Sequence, residues 1–115
     1  MSPLGYPMAQ PMDTLTRLEA TIAQRLTASP EDSYVAKLHH KGLGKIAQKL
    51  GEEATEAVIA ALTGDEAELV GEAADLLFHL LVLLAEKGVA LEAVFTELER
   101  REGMSGIAEK ASRSV

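Results

Sequence analysis

Lys49-Leu50-Gly51-Glu52-Glu53-Ala54-Thr55-Glu56 and, further on, Glu72-Ala73-Ala74-Asp75 decide how this chain of 115 residues folds. Each stretch holds two carboxylates three residues apart, Glu53 with Glu56 and Glu72 with Asp75, within sequence of helical pattern. Residues i and i+3 of a helix are neighbours on one face, so each pair can present two side chains to a common ligand. Between the pairs stands a turn signal, Thr63-Gly64-Asp65, which lets two helices fold back antiparallel and bring the pairs together. Four converging carboxylates repel one another and require protons or cations. Hard oxygen ligands select Mg²⁺, with Mn²⁺ as the alternative. The spacing therefore predicts an all-α protein of four to five helices in which an antiparallel helix pair carries a divalent-metal site.

The second helix of that pair sets the assembly. From Leu76 to Ala85 it is apolar almost all round, save for His79, and it is too short to span a bilayer. A soluble helix that is apolar on every side must be covered on every side. With few helices to do this in one chain, the reading is a helical bundle completed by dimerisation, with Leu80 and Leu83 at the interface. Asp65 is the expected N-cap of this helix, and Gly88 is its stop. The first helix of the pair is expected over about Lys45–Leu62, with Gly51 as a weak point that would also admit a phosphate or another helix.

Upstream, Met1–Pro11 is rich in proline and lacks a basic or apolar run, so residues 1–11 read as a disordered extension rather than a secretory signal. Residues 12–115 form one all-α domain. Asp13 is the expected cap of a helix over Thr14–Ala28. Ser29-Pro30-Glu31-Asp32 resembles a stop and a new start, with Ser29 as cap of a short helix through Tyr34, Val35 and Leu38. Gly42-Leu43-Gly44 ends it as a flexible joint. Downstream, a helix over Leu91–Arg101 turns Val94, Phe95 and Leu98 inward, and Ile107–Arg113 is a final short helix or a tail.

Charge is segregated along the chain. Ser33–Gly51 holds no acid but carries Lys37, Lys41, Lys45 and Lys49 with His39 and His40, whereas Leu50–Glu86 holds no Lys or Arg. A basic stretch running into an acidic one suits a metal-bound polyphosphate, lysines meeting phosphate oxygens and carboxylates holding the metal. The alternative is a pair of solvated helix faces, which is the reading for Asp65, Glu66, Glu68 and Glu86. A net charge of −7 argues against nucleic acid as a partner, whose backbone demands clustered Lys and Arg. The absence of cysteine excludes disulfides and thiolate metal sites, which fits a cytoplasmic protein. No phosphate-binding loop, dinucleotide fingerprint or nucleophile elbow is present. His79 follows Asp75 at i+4, not the i+3 that di-iron bundles use, and reads as a core histidine rather than a ligand.

The motif resembles the E-E-x-x-E … E-x-x-D signature of MazG-type nucleoside triphosphate pyrophosphohydrolases. The flanks Ser33–Leu38, Lys45–Glu56, Ala73–Leu84 and Ser105–Arg113 are similar to those of the phosphoribosyl-ATP pyrophosphohydrolases of histidine biosynthesis. Gly44 departs from that family's usual polar residue, at no metal position. The resemblance implies Mg²⁺-dependent cleavage of phosphoribosyl-ATP to phosphoribosyl-AMP and pyrophosphate by a helical homodimer, with no second, fused domain. It implies Glu53, Glu56, Glu72 and Asp75 as metal ligands. Glu52 is then the residue that orients or deprotonates water, or an outer support. Lys37, Lys41, Lys45 and Lys49 become phosphate contacts or plain surface lysines, and Lys110 and Arg113 contacts to the phosphoribosyl end. A MazG-type enzyme acting on ordinary or damaged nucleoside triphosphates, or a non-enzymatic helical dimer, are the alternatives.

Overall fold

The computed structural model describes residues 11–102, the side chains from residue 14 onward, and shows five helices with no strand among the described residues. The expected N-terminal extension, the C-terminal segment and both Lys110 and Arg113 lie outside the described residues. Helix α1 (Pro11–Leu26) starts earlier than Asp13 would have set it, with proline in its first turn, where the missing N–H costs no intrahelical bond. Asp13 therefore lies inside the helix rather than capping it. Leu15, Leu18, Ile22 and Leu26 form its inner stripe, and Ile22 is fully buried.

Helix α2 (Tyr34–Lys41) begins later than expected. Ser33 is its cap, Oγ accepting the Ala36 N–H at 3.1 Å, while Ser29 closes a turn in which its carbonyl accepts from Asp32 N–H. The joint to helix α3 (Leu43–Thr63) is a single residue, Gly42, and Gly44 is already helical. Gly42 has φ +99° and ψ 172°, backbone that is close to glycine-only, and its N–H closes α2 on the Leu38 and His39 carbonyls. The joint is thus a tight corner.

Helix α4 (Glu66–Glu86) follows after only Gly64 and Asp65, so α3 and α4 form an antiparallel hairpin. Asp65 caps α4 as expected, accepting the Glu68 N–H at 2.9 Å. At the other end Gly88 adopts φ +69°; its N–H reaches the Ala85 carbonyl and the Val89 N–H reaches that of Leu84, the two bonds of a Schellman stop. Helix α5 (Leu91–Arg101) completes the fold. It has no side-chain cap of its own.

Ile22, Val35, Leu38, Ile46, Leu81, Val82 and Leu91 make the core, which sits at the end of the hairpin where α3 begins and α4 finishes. Helices α1, α2 and α5 contribute to that end alone. Leu81 and Val82 are therefore buried within one chain, and Leu83 packs against the same core, whereas Leu80 is partly buried and Leu77 is exposed, so the chain covers only part of Leu76–Ala85 by itself. Exposed apolar side chains gather toward the other end of the hairpin, at Val58, Ile59, Leu62, Leu69 and Val70, with Leu77 midway along α4. On α5, Val94 and Phe95 face inward but Leu98 is exposed, since the core ends before that turn.

Candidate metal centre

Helix α3 carries Glu53 and Glu56 on the face turned toward α4, and α4 answers with Glu72. One carboxylate oxygen from each of the three lies within 4.8 Å of the other two. Exposure grades across the group: Glu53 is 7% exposed, Glu72 half-buried and Glu56 open to solvent. Asp75, one turn after Glu72, is exposed and stands outside this set of three, yet it is close enough to act on both Glu53 and Glu72.

The buried member has an unmet requirement. Glu53 Oε2 is enclosed and has no hydrogen-bond partner in the protein, while the Lys49 ammonium stands 3.9 Å from Oε1. A buried carboxylate oxygen without a donor costs free energy unless a proton or cation meets it. Burial pushes the Glu53 carboxyl above its ordinary range, and the adjoining Glu56 carboxylate pushes the same way. Glu72 is raised too, first by burial and then by Glu56 and Asp75. An orphaned oxygen among three converging carboxylates fits a hard divalent cation such as Mg²⁺ or Mn²⁺.

Glu52 points elsewhere. Its carboxylate accepts from Gln48 Nε2 at 2.8 Å and lies 3.6 Å from Lys49 Nζ, contacts that lower its pKa. With Gln48, Gly51, Thr55 and Glu56 it lines an open groove on the outer side of α3. Glu56 thus belongs to both the carboxylate group and the groove. A Cβ at Gly51 would meet nothing within 4 Å, so the glycine is not demanded by packing among the described residues.

Of the four lysines, Lys49 is brought to the carboxylates directly, and Lys45 acts on Glu52 through space. Lys37 and Lys41 are exposed on α2 and form no ion pair among the described residues. His39 is engaged structurally, Nδ1 lying 2.7 Å from Glu86 Oε1 at the end of α4.

Beside the site, His79 is the core histidine that the sequence reading expected, and Tyr34 is the residue that it missed. His79 is buried, with Nδ1 2.7 Å from the Asp75 carbonyl and Nε2 2.9 Å from the Tyr34 hydroxyl. A carbonyl can only accept, so Nδ1 carries the proton, and in the neutral ring Nε2 accepts from the phenol. Both nitrogens are used, in keeping with a satisfied core histidine. Tyr34 stands among Lys49, Glu53, Asp75 and Glu52, all of which act on its hydroxyl, and burial raises its pKa. The signal available in sequence was slight: a tyrosine after a cap serine.

The family model described as phosphoribosyl-ATP pyrophosphohydrolase matches residues 15–102. Three bacterial proteins named phosphoribosyl-ATP pyrophosphatase are similar over nearly their whole length. That of Erythrobacter litoralis is 67% identical over 102 residues, 89% of this chain and 98% of its own. That of Novosphingobium aromaticivorans is 69% identical over 102 residues, covering 89% and 95%. That of Zymomonas mobilis is 61% identical over 101 residues, covering 88% and 94%.

Proposed function

The chain belongs to the phosphoribosyl-ATP pyrophosphohydrolase family, and from this we propose that it hydrolyses phosphoribosyl-ATP to phosphoribosyl-AMP and pyrophosphate in a Mg²⁺-dependent reaction. The single observation that supports a metal-dependent reading is the orphaned, buried Glu53 Oε2 beside the carboxylates of Glu56 and Glu72. The reaction is the second step of histidine biosynthesis, carried out in the cytoplasm; no helix among the described residues is long and apolar enough to cross a membrane.

Glu53, Glu56, Glu72 and Asp75 would hold Mg²⁺ or Mn²⁺. When bound, the ion supplies neutralisation of phosphate charge and polarisation of the phosphoryl oxygens. The bond between the α and β phosphates breaks, and water contributes the oxygen and protons that complete the two products. Glu52, facing the groove that Glu56 also lines, orients this water or takes its proton. Its hydrogen bond from Gln48 keeps it ionised and able to accept. Lys49, with Lys45, meets phosphate oxygens close to the carboxylates. Lys37 and Lys41 extend that contact along α2, and Lys110 and Arg113 meet the phosphoribosyl end.

The active form is a homodimer. The exposed Val58, Ile59, Leu62, Leu69 and Val70 support this, because they lie toward one end of a hairpin whose other end is covered by α1, α2 and α5. Exposed apolar side chains gathered toward one end of a hairpin suit an association site.

The test is to offer phosphoribosyl-ATP and ATP side by side with Mg²⁺ and assay pyrophosphate. The proposal requires faster release from phosphoribosyl-ATP. Equal or greater release from ATP would assign the protein to general nucleotide clearance, and no release from either would remove the enzymatic reading.

A further inference from the structure

Three phenyl or phenol rings fall within the residues whose side chains are described: Tyr34, Phe78 and Phe95. Phe78 and Phe95 pack against the core. Tyr34 is 47% exposed and borders the carboxylate group.

Its orientation is set by the protein. The phenol hydroxyl is tied to His79 Nε2 at 2.9 Å, and His79 is itself tied to the Asp75 carbonyl. The ring lies stacked toward Phe78, with centroids 6.2 Å apart and planes 24° from parallel, and meets the His79 ring edge-on at 5.8 Å. Ser33, the residue before it, is fixed as the cap of α2. An exposed side chain that only decorates a surface is not held at its far end by a buried histidine. Here the hydroxyl is held while the residue as a whole stays 47% exposed. Lys49, whose charge acts on the same hydroxyl, lies within 4 Å of Glu52 and Glu53, and His79 joins that hydroxyl to the Asp75 carbonyl, so the ring is tied to the carboxylate end of α4.

An exposed tyrosine held at its hydroxyl, next to the candidate polyphosphate and metal site, matches the remaining part of a nucleotide. We propose that Tyr34 is the surface on which the nucleobase of the substrate stacks, with His79 as the residue that positions it. The inference rests on the pyrophosphohydrolase reading and names the contact that separates a nucleoside polyphosphate from a bare polyphosphate. Stacking tolerates any base, since every base presents a π face, so Tyr34 gives affinity for the base without selecting its hydrogen-bonding edge. Loss of such a contact lowers affinity by about tenfold to a hundredfold.

The experiment compares ATP with inorganic tripolyphosphate, each titrated calorimetrically with Mg²⁺ into wild type, Tyr34→Phe and Tyr34→Leu. Tyr34→Phe keeps the ring but loses the hydroxyl that His79 holds, so it should bind ATP more weakly than wild type yet clearly better than Tyr34→Leu, which should lose about tenfold or more. Tripolyphosphate affinity should stay the same in all three. Should Tyr34→Leu fail to fold, the ring-proton resonances of Tyr34 in the wild type, assigned with Tyr34→Phe, give the answer. They should shift upfield with ATP and not with tripolyphosphate. Equal loss of both ligands in Tyr34→Leu, no loss of either, or ring resonances indifferent to ATP would overturn the proposal. Because the readout is binding, wild type that binds ATP through Tyr34 yet fails to hydrolyse phosphoribosyl-ATP would defeat the proposed reaction and leave the platform standing.

Discussion

Glu19 on α1 closes the start of α5: its Oε2 accepts the Leu91 N–H at 2.7 Å, across 72 positions of sequence. Helix α5 opens on Ala90, which has no side chain to cap with, so a carboxylate from another helix meets an otherwise orphaned donor at the positive end of the dipole. Leu91 is in the core, and the contact therefore joins α5 to the rest of the fold. Glu19→Ala should cost about 1–2 kcal/mol in urea denaturation, the range for a lost cap. Glu19→Gln, which keeps an acceptor, should recover part of it. Unchanged stability in Glu19→Ala would mean that α5 docks through its apolar face alone.

The hairpin surface predicts oligomeric state. Leu62 and Val70 are exposed within one chain, so Leu62→Glu with Val70→Glu should leave the helices intact and convert a dimer to a monomer in sedimentation. Leu83→Asp should instead unfold the chain, because Leu83 packs against the core, and a lost apolar contact is combined with a partly buried charge. A double variant that remains dimeric would move the interface elsewhere.

Glu97 gives a pH signature on α5. Hydrogen bonds from Arg100 and Arg101 hold its carboxyl down at about 2, against an ordinary 4.5. A folded-state pKa that is lowered gives stability present above the unfolded value and lost as pH falls through the folded one. The stability gap between wild type and Glu97→Gln should therefore hold above pH 4.5 and close as pH falls toward about 2. A gap that did not change over that window would contradict the pairing.

Much of this arrangement was legible in sequence, for reasons that are local. The turn at Thr63–Asp65, the Asp65 cap and the Gly88 stop each rest on chemistry within a few residues, and they place Glu53, Glu56 and Glu72 together. The α2 start was misread because Ser29-Pro30 and Ser33-Tyr34 are both cap-like; the tie from Tyr34 to His79, 45 positions away, favours the second. An all-round apolar helix demands cover at Leu80 and Leu83, and sequence does not say which helices supply it; Leu83 finds part of its cover within the chain. Helices α1, α2 and α5 cover that end, leaving Val58, Leu62 and Val70 bare. Asp75 has the right spacing and its charge acts on Glu53 and Glu72, but it is exposed and is not in the set of three whose oxygens lie within 4.8 Å of one another, a distance that i, i+3 spacing does not settle.

The raised carboxyls predict how metal and pH interact. Glu53 and Glu72 have folded pKa values above the ordinary 4.5, so their contribution is fully present below that value and lost as pH rises through the raised values. In chelator, the thermal midpoint should carry a destabilising component that grows over that rise. Added Mg²⁺ should reverse it at neutral pH by binding the folded form alone. A midpoint at pH 7 that ignored Mg²⁺ at millimolar concentration would contradict the cation site.

Phosphorus NMR of phosphoribosyl-ATP incubated with Mg²⁺ and either wild type or Glu56→Gln tests the central claim most directly. Glu56 is exposed, so the change removes one charge and ligand oxygen from the group while leaving the buried core untouched. Wild type should yield pyrophosphate and the monophosphate product in equal amounts. Glu56→Gln, folded by its circular dichroism, should be slowed by about a hundredfold or more, the scale on which lost electrostatic stabilisation of a transition state is felt. Turnover by Glu56→Gln at the wild-type rate, or release of single phosphate in place of pyrophosphate, would contradict the account.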